Sequence, residues 1–147
     1  MRHINERLKT SHTTWVTPSI WHILSDFQNV QYLSSIDLNS CFWTFPLSKK
    51  CSQYTGFDFL GIRYVCTRMP QGLKISSTET MAKMKKFVLR HNLKGIKLYI
   101  DNIIILGDCL QNYKDNLEAF FAACLAENFI IKMKKSHHFI NLSLIHI

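Results

Sequence analysis

Apolar positions along the chain follow two periods, and the change from one to the other marks the elements. Behind Thr17-Pro18-Ser19, a turn that can open a helix, Ile20, Ile23, Leu24 and Phe27 recur at helical spacing and predict a short helix near residues 19–27. YLSSIDL then alternates as a strand does, and CFWTFPL follows, rich in aromatic residues with Pro46 near its end. QYTGFDFLG, about residues 52–60, predicts a second strand, and Gly61 leads into IRYVCTRM as a third. Pro70 and Gly72 interrupt the chain before Thr78 and Glu79, which can open a long helix to about Asn92 with Lys83, Lys85 and Lys86 at its centre. LKGIKLYIDNIIILG holds two short β-branched runs meeting at Tyr99-Ile100-Asp101-Asn102, the pattern of a hairpin with a polar turn. An amphipathic helix follows over about residues 111–127, with Leu117, Phe120, Phe121, Cys124 and Leu125 on one face. Helices and strands interspersed around one antiparallel sheet make an α+β protein.

At 147 residues and 47% apolar, the chain can bury one core, and no linker, repeat or low-complexity tract divides it. Lys and Arg number 18 against 10 Asp and Glu, a formal charge of +8 that suits polyanionic partners such as nucleic acid, although many ordinary soluble proteins are equally basic. The cysteines, Cys41, Cys51, Cys66, Cys109 and Cys124, form no CxxC pair and no zinc spacing to His, which predicts reduced thiols. The charged opening MRHINERLK has no signal-peptide core, and no apolar run approaches the roughly 18 residues of a membrane span. An intracellular chain, cytoplasmic or nuclear and without membrane contact, is the expectation.

Two aspartates stand inside apolar strands, Asp37 in SSIDLNS and Asp101 in LYIDNII. A carboxylate there is unfavourable unless it meets a cation or a partner. One alone is more often a satisfied residue at a strand end; two together fit hard cations such as magnesium, which bind through one or two carboxylates plus substrate phosphates.

In order along the chain, SSIDLNSCFWTFPL, TRMPQGLK and LYIDNIIIL resemble the successive motifs of reverse transcriptases from retroviruses and from gypsy-type or Pao-type long-terminal-repeat retrotransposons. The spacings from Gly72 to Tyr99 and from Tyr99 to Lys135 fit the gypsy-type pattern without gaps. RHIN resembles the end of a fingers motif, Arg-x-Leu-Asn, and WVTPSIWHIL the helix entry before the first catalytic strand. The resemblance implies one partial polymerase domain over residues 1–147. Residues 1–30 would be a fingers remnant, 31–139 fingers and palm motifs with a small antiparallel sheet packed on helices, and 140–147 a tail outside the family.

The resemblance also implies roles. Asp37 and Asp101 would share two magnesium ions, with manganese able to substitute, for RNA-directed DNA synthesis on an RNA or DNA template-primer from deoxynucleoside triphosphates. Phe42 would be the aromatic gate that excludes a 2′-hydroxyl, Gln71 would lie near the nucleotide sugar, and Gly72 would let backbone approach the substrate. In NFIIKMKKSHHF, Lys135, with Lys134 as the alternative, corresponds to a lysine that follows a strand beside the site and donates a proton to pyrophosphate. Lys83, Lys85 and Lys86 would meet template phosphates. By themselves Phe42 reads as core packing, PQG as a turn, and both lysine groups as solvated faces; His137 and His138 read as a surface pair.

The hairpin reads Tyr-Ile-Asp-Asn, so Asn102 stands where the family has a second aspartate and offers a neutral carbonyl oxygen to the metals. Ser77 and Thr80 replace a family Pro and Phe, and the second change removes apolar bulk from a packed face. The expectation from the resemblance is a chain that lacks most of the fingers before Arg2 and the thumb, connection and RNase H regions after Phe139. INLSLIHI reads as sequence past a breakpoint. A basic, noncatalytic nucleic-acid-binding remnant is the alternative these departures support.

Overall fold

A computed structural model describes residues 2–7, 29–38, 41–99 and 102–141. The helix expected over residues 19–27 lies outside them. Among the described residues the chain forms two compact units interleaved in sequence, one of residues 2–7 and 41–82, the other of residues 29–38, 83–99 and 102–141.

The first unit holds α1 (Arg2–Arg7), α2 (Cys41–Thr44), α3 (Lys49–Ser52), a 3-10 turn (Gln53–Thr55) and the hairpin β2 (Phe57–Phe59) and β3 (Ile62–Tyr64). The strand expected over residues 52–60 is therefore shortened at its start. Ser48 caps α3, its Oγ accepting from the Cys51 N–H at 3.2 Å, and this local bond favours a helical turn over extension. The third expected strand also stops early, at Tyr64. Beyond it the backbone bonds to the chain after α2, Leu47 N–H to Thr67 carbonyl at 2.9 Å and Met69 N–H to Phe45 carbonyl at 3.0 Å. The hairpin makes a sheet of its own, Phe57 opposite Tyr64 and Phe59 opposite Ile62, so the expectation of one sheet gives way to two.

From the first unit α4 (Ser76–Arg90) runs into the second, which continues with β4 (Ile96–Tyr99), β5 (Asn102–Gly107), α5 (Leu110–Ala126), a 3-10 turn (Met133–Lys135) and β6 (His137–Asn141). With β1 (Tyr32–Asp37) these strands form an antiparallel sheet in the order β4-β5-β1-β6. The expected tail from residue 140 overlaps this sheet, for Ile140 and Asn141 pair with Leu33 and Tyr32. The architecture is α+β, as expected.

Alternation decides which face of that sheet is buried. Ser34 and Ile36 of β1 stand opposite Ile105 and Ile103 of β5, and all four are buried, while their sequence neighbours Ser35 and Asp37 project from the other face. The polar member, Ser34, is fully satisfied: its Oγ shares a 2.6 Å hydrogen bond with the Tyr113 hydroxyl and accepts from the Phe139 N–H at 3.1 Å. α5 packs on β5 and buries Tyr113, Asn116, Phe120, Ala123 and Cys124, a helical stripe. Phe87 meets Phe120 and Phe129 edge-on, at 6.3 and 5.1 Å between ring centroids. Burial pushes the Cys124 thiol up to about 12, so it behaves as a small apolar side chain. Cys51, Cys66, Cys109 and Cys124 are all free thiols. Among the described residues no helix is long and apolar enough to cross a membrane.

The ends of α4 and α5 are tied by Glu127, whose Oε1 accepts from Arg90 at 2.5 Å and lies 3.0 Å from His91 Nε2. The His91 bond, helped by Arg90 and opposed by partial burial, holds the Glu127 carboxyl below the usual carboxylate range. A depressed carboxyl stabilises the fold above its unfolded pKa, and the stabilisation is lost as pH falls through the folded value. Glu127→Gln should therefore lower stability by about 0.5 kcal/mol near neutral pH, and the gap to the parent should close in acid, as followed by urea denaturation at several pH values. Thr80 is 2% exposed, and among the described residues its hydroxyl has no hydrogen-bond partner. Thr80→Val should raise stability by about 1 kcal/mol. At the other end of the sheet a Cβ on Gly107 would fall 2.6 Å from the backbone N and Cα of Tyr113. Gly107→Ala should cost about 1–3 kcal/mol by forcing α5 off β5, measured by the same denaturation assay.

Candidate catalytic site

β1 ends at Asp37 and β5 begins at Asn102, and the register of the two strands sets these residues directly opposite each other. Asn102 also pairs with Tyr99, the last residue of β4, so a row Asp37, Asn102, Tyr99 runs across three strands on one face. Opposed residues in an antiparallel pair project to the same side, with Cβ atoms roughly 4.5–5.5 Å apart. Asp37 is half-buried and Asn102 exposed. Asp101 precedes Asn102 in the chain and lies outside the described residues.

The end of β1 is held in place by the segment after α5. Leu38, buried, forms a single antiparallel bridge with Ile131, and the Lys132 N–H donates to the Asp37 carbonyl at 2.8 Å. The next residues form the turn Met133–Lys135, which carries Lys134 and Lys135, both exposed. Lys135 thus closes a 3-10 turn ahead of β6, where the expectation had it following a strand. The reason is local: the Ile131 bridge is one residue long, and Lys135 N–H to Lys132 carbonyl, at 3.0 Å, turns the chain.

Among the described residues no side chain donates a hydrogen bond to the Asp37 carboxylate; the bonds at Asp37 are to its backbone. Its oxygens and the Asn102 amide oxygen are hard donors of the kind that magnesium and manganese take. Among the described residues no three His, Cys, Asp or Glu side chains gather into a metal site, and Asp101 is outside that set. The donor chemistry of Asp37 and Asn102 fits a divalent ion.

Of the other candidates, Phe42, Gln71 and Gly72 belong to the first unit and Lys83, Lys85 and Lys86 to the second. Phe42 lies half-buried on α2. Gln71 and Gly72 form an exposed turn in which Gly72 has φ +89°, a conformation that strains any side chain. Asn5 brackets this turn, its Nδ2 donating to the Gly72 carbonyl at 2.8 Å and its Oδ1 accepting from the Lys74 N–H at 2.8 Å. The RHIN motif by itself assigns Asn5 no such task. On α4, Lys83 is half-buried and Lys85 and Lys86 are exposed.

A family model for reverse transcriptase (RNA-dependent DNA polymerase) matches residues 2–144. The chain belongs to the reverse transcriptase family. Among its relatives, the Pro-Pol polyprotein of Simian foamy virus type 1 is 30% identical over 114 residues, which cover 78% of this chain and 10% of the relative. The retrovirus-related Pol polyprotein from transposon opus of Drosophila melanogaster is 28% identical over 125 residues, 84% of this chain and 12% of the relative. The fold matches the foamy viral protease-reverse transcriptase in complex with an RNA/DNA hybrid at a TM-score of 0.80 and 28% identity, over 93% of this chain and 18% of that one. A foamy viral protease-reverse transcriptase dRH in complex with double-stranded DNA matches at a TM-score of 0.81 and 28% identity, over 93% of this chain and 24% of that one. This reverse transcriptase segment therefore spans about a tenth of the length of the curated relatives it matches.

Proposed function

We propose that this chain is the palm-centred part of a retrotransposon reverse transcriptase whose ancestral reaction is template-directed synthesis of DNA on RNA. The observation that carries the reading is the register of β1 and β5, which sets Asp37 opposite Asn102, the residue that follows Asp101 in the sequence. Asp37, Asp101 and, more weakly, Asn102 would hold two magnesium or manganese ions. Bound there, the ions supply Lewis-acid activation of the primer 3′-hydroxyl and neutralise charge on the triphosphate.

The remaining residues bind and orient. Phe42 packs on the sugar of a deoxynucleoside triphosphate and rejects a 2′-hydroxyl by clash. Gly72, already in a conformation that glycine alone adopts without strain, lets the Gln71 turn approach the nucleotide. Lys135 donates a proton to the leaving pyrophosphate or holds its charge. Lys83, Lys85 and Lys86 bind phosphates of the RNA or DNA template-primer, an interaction that weakens steeply with salt. Complexes of the foamy viral protein with an RNA/DNA hybrid and with double-stranded DNA support this choice of partner.

Asn102 supports a second reading. A neutral amide in place of a carboxylate weakens the hold on both ions, and a chain of charge +8 that no longer polymerises still binds nucleic acid. Primer extension on an RNA template with magnesium or manganese, comparing the chain with Asn102→Asp, separates the two. The polymerase reading expects the aspartate variant to extend primers on the order of tenfold or more above the parent, the scale on which changes around a metal act. No extension by either, together with metal-independent binding that falls steeply with salt, would establish the noncatalytic binder instead.

A further inference from the structure

The ladder between β1 and β6 stops short of the site. Its last pair is Ser35 with His137, so the backbone N–H and carbonyl of Asp37 on that side have no strand partner. Ser136 and Lys132 take the place of the missing strand. Ser136 Oγ accepts from the Asp37 N–H at 3.1 Å and donates to the Lys132 carbonyl at 3.0 Å, and the Lys132 N–H returns to the Asp37 carbonyl at 2.8 Å. A hydroxyl is suited to this corner because it donates and accepts at one atom. The bonds close a ring that clamps both backbone groups of Asp37 to the turn Met133–Lys135.

We propose that Ser136 is a positioning residue, which holds the Asp37 carboxylate and the Lys134–Lys135 turn in a fixed relation so that one change of geometry cannot occur without the other. This rests on Asp37 being a ligand of a divalent ion. Ser136 touches no substrate and acts through the Asp37 backbone. Removing its hydroxyl leaves the Asp37 N–H unpaired and frees the turn, and the carboxylate at the strand end loses its fixed direction. Outer groups that orient a ligand carry effects of about 10–100-fold in metal affinity.

Manganese alone is the probe, its affinity for the full chain measured by electron paramagnetic resonance beside the melting temperature. The parent is compared with Asp37→Asn, Ser136→Ala, Ser136→Thr and Ser136→Cys. Manganese binding that needs Asp37, weakens about tenfold in Ser136→Ala and returns in Ser136→Thr supports the role. If Ser136→Ala does not fold, Ser136→Cys, which keeps the size of the side chain and only a weak S–H donor, must show the loss. Unchanged affinity in a folded alanine or cysteine variant, whatever its melting temperature, makes Ser136 merely structural and leaves Asp37 a cation ligand. Binding indifferent to Asp37→Asn means that Asp37 is no cation ligand, and the positioning role falls with it.

Discussion

The pairing of β1 with β5 is the constraint on which the candidate site depends. Ile36 lies against Ile103 and Ser34 against Ile105 on the buried face, and with a side-chain period of two this leaves Asp37 and Asn102 on the opposite face at the ends of their strands. A slip of one residue would turn Ile36 outward and bring Asp37 into the core, where an unpaired carboxylate is strongly unfavourable. Core packing and site geometry are thus one choice. The same apolar alternation that drives the sheet together aims the acidic strand end at the hairpin.

Around that ladder, other contacts fix the distances. α5 lies close on β5 because Gly107 leaves room for the Tyr113 backbone, and Tyr113 in turn satisfies Ser34 in the apolar layer. On the far side of β1, β6 begins only at His137, and the loop ahead of it grips Asp37 by its backbone. The carboxylate itself is left without a hydrogen-bond donor among the described residues.

Much of this was legible from local pattern. The helix expected over 78–92 is found at Ser76–Arg90, that over 111–127 at Leu110–Ala126, and the β-branched runs around Tyr99 form the β4–β5 hairpin, because each of these is set by apolar periodicity and turn chemistry within a few residues. The strand expected over 52–60 begins only at Phe57, because the Ser48 cap outweighs the apolar alternation ahead of it. The pairing of Asp37 with the hairpin came from the order of motifs and not from periodicity, which says nothing of which strands are neighbours. Asn5 stands at the end of the RHIN motif with no sign of its contact, and Ser136 has no signal at all. Their partners lie 67 and 99 residues away, and a lone Asn or Ser looks the same in sequence whether it faces water or a backbone amide.

If the β1–β5 register builds a divalent-cation site, an iron(II) ion placed there will cut the chain nearby when ascorbate and peroxide generate hydroxyl radicals. Mapping the fragments by mass spectrometry should give cleavage at the end of β1 and at the start of β5, suppressed by excess magnesium and absent in Asp37→Asn. Cleavage scattered along the chain, or unchanged when Asp37 is replaced, would contradict the account.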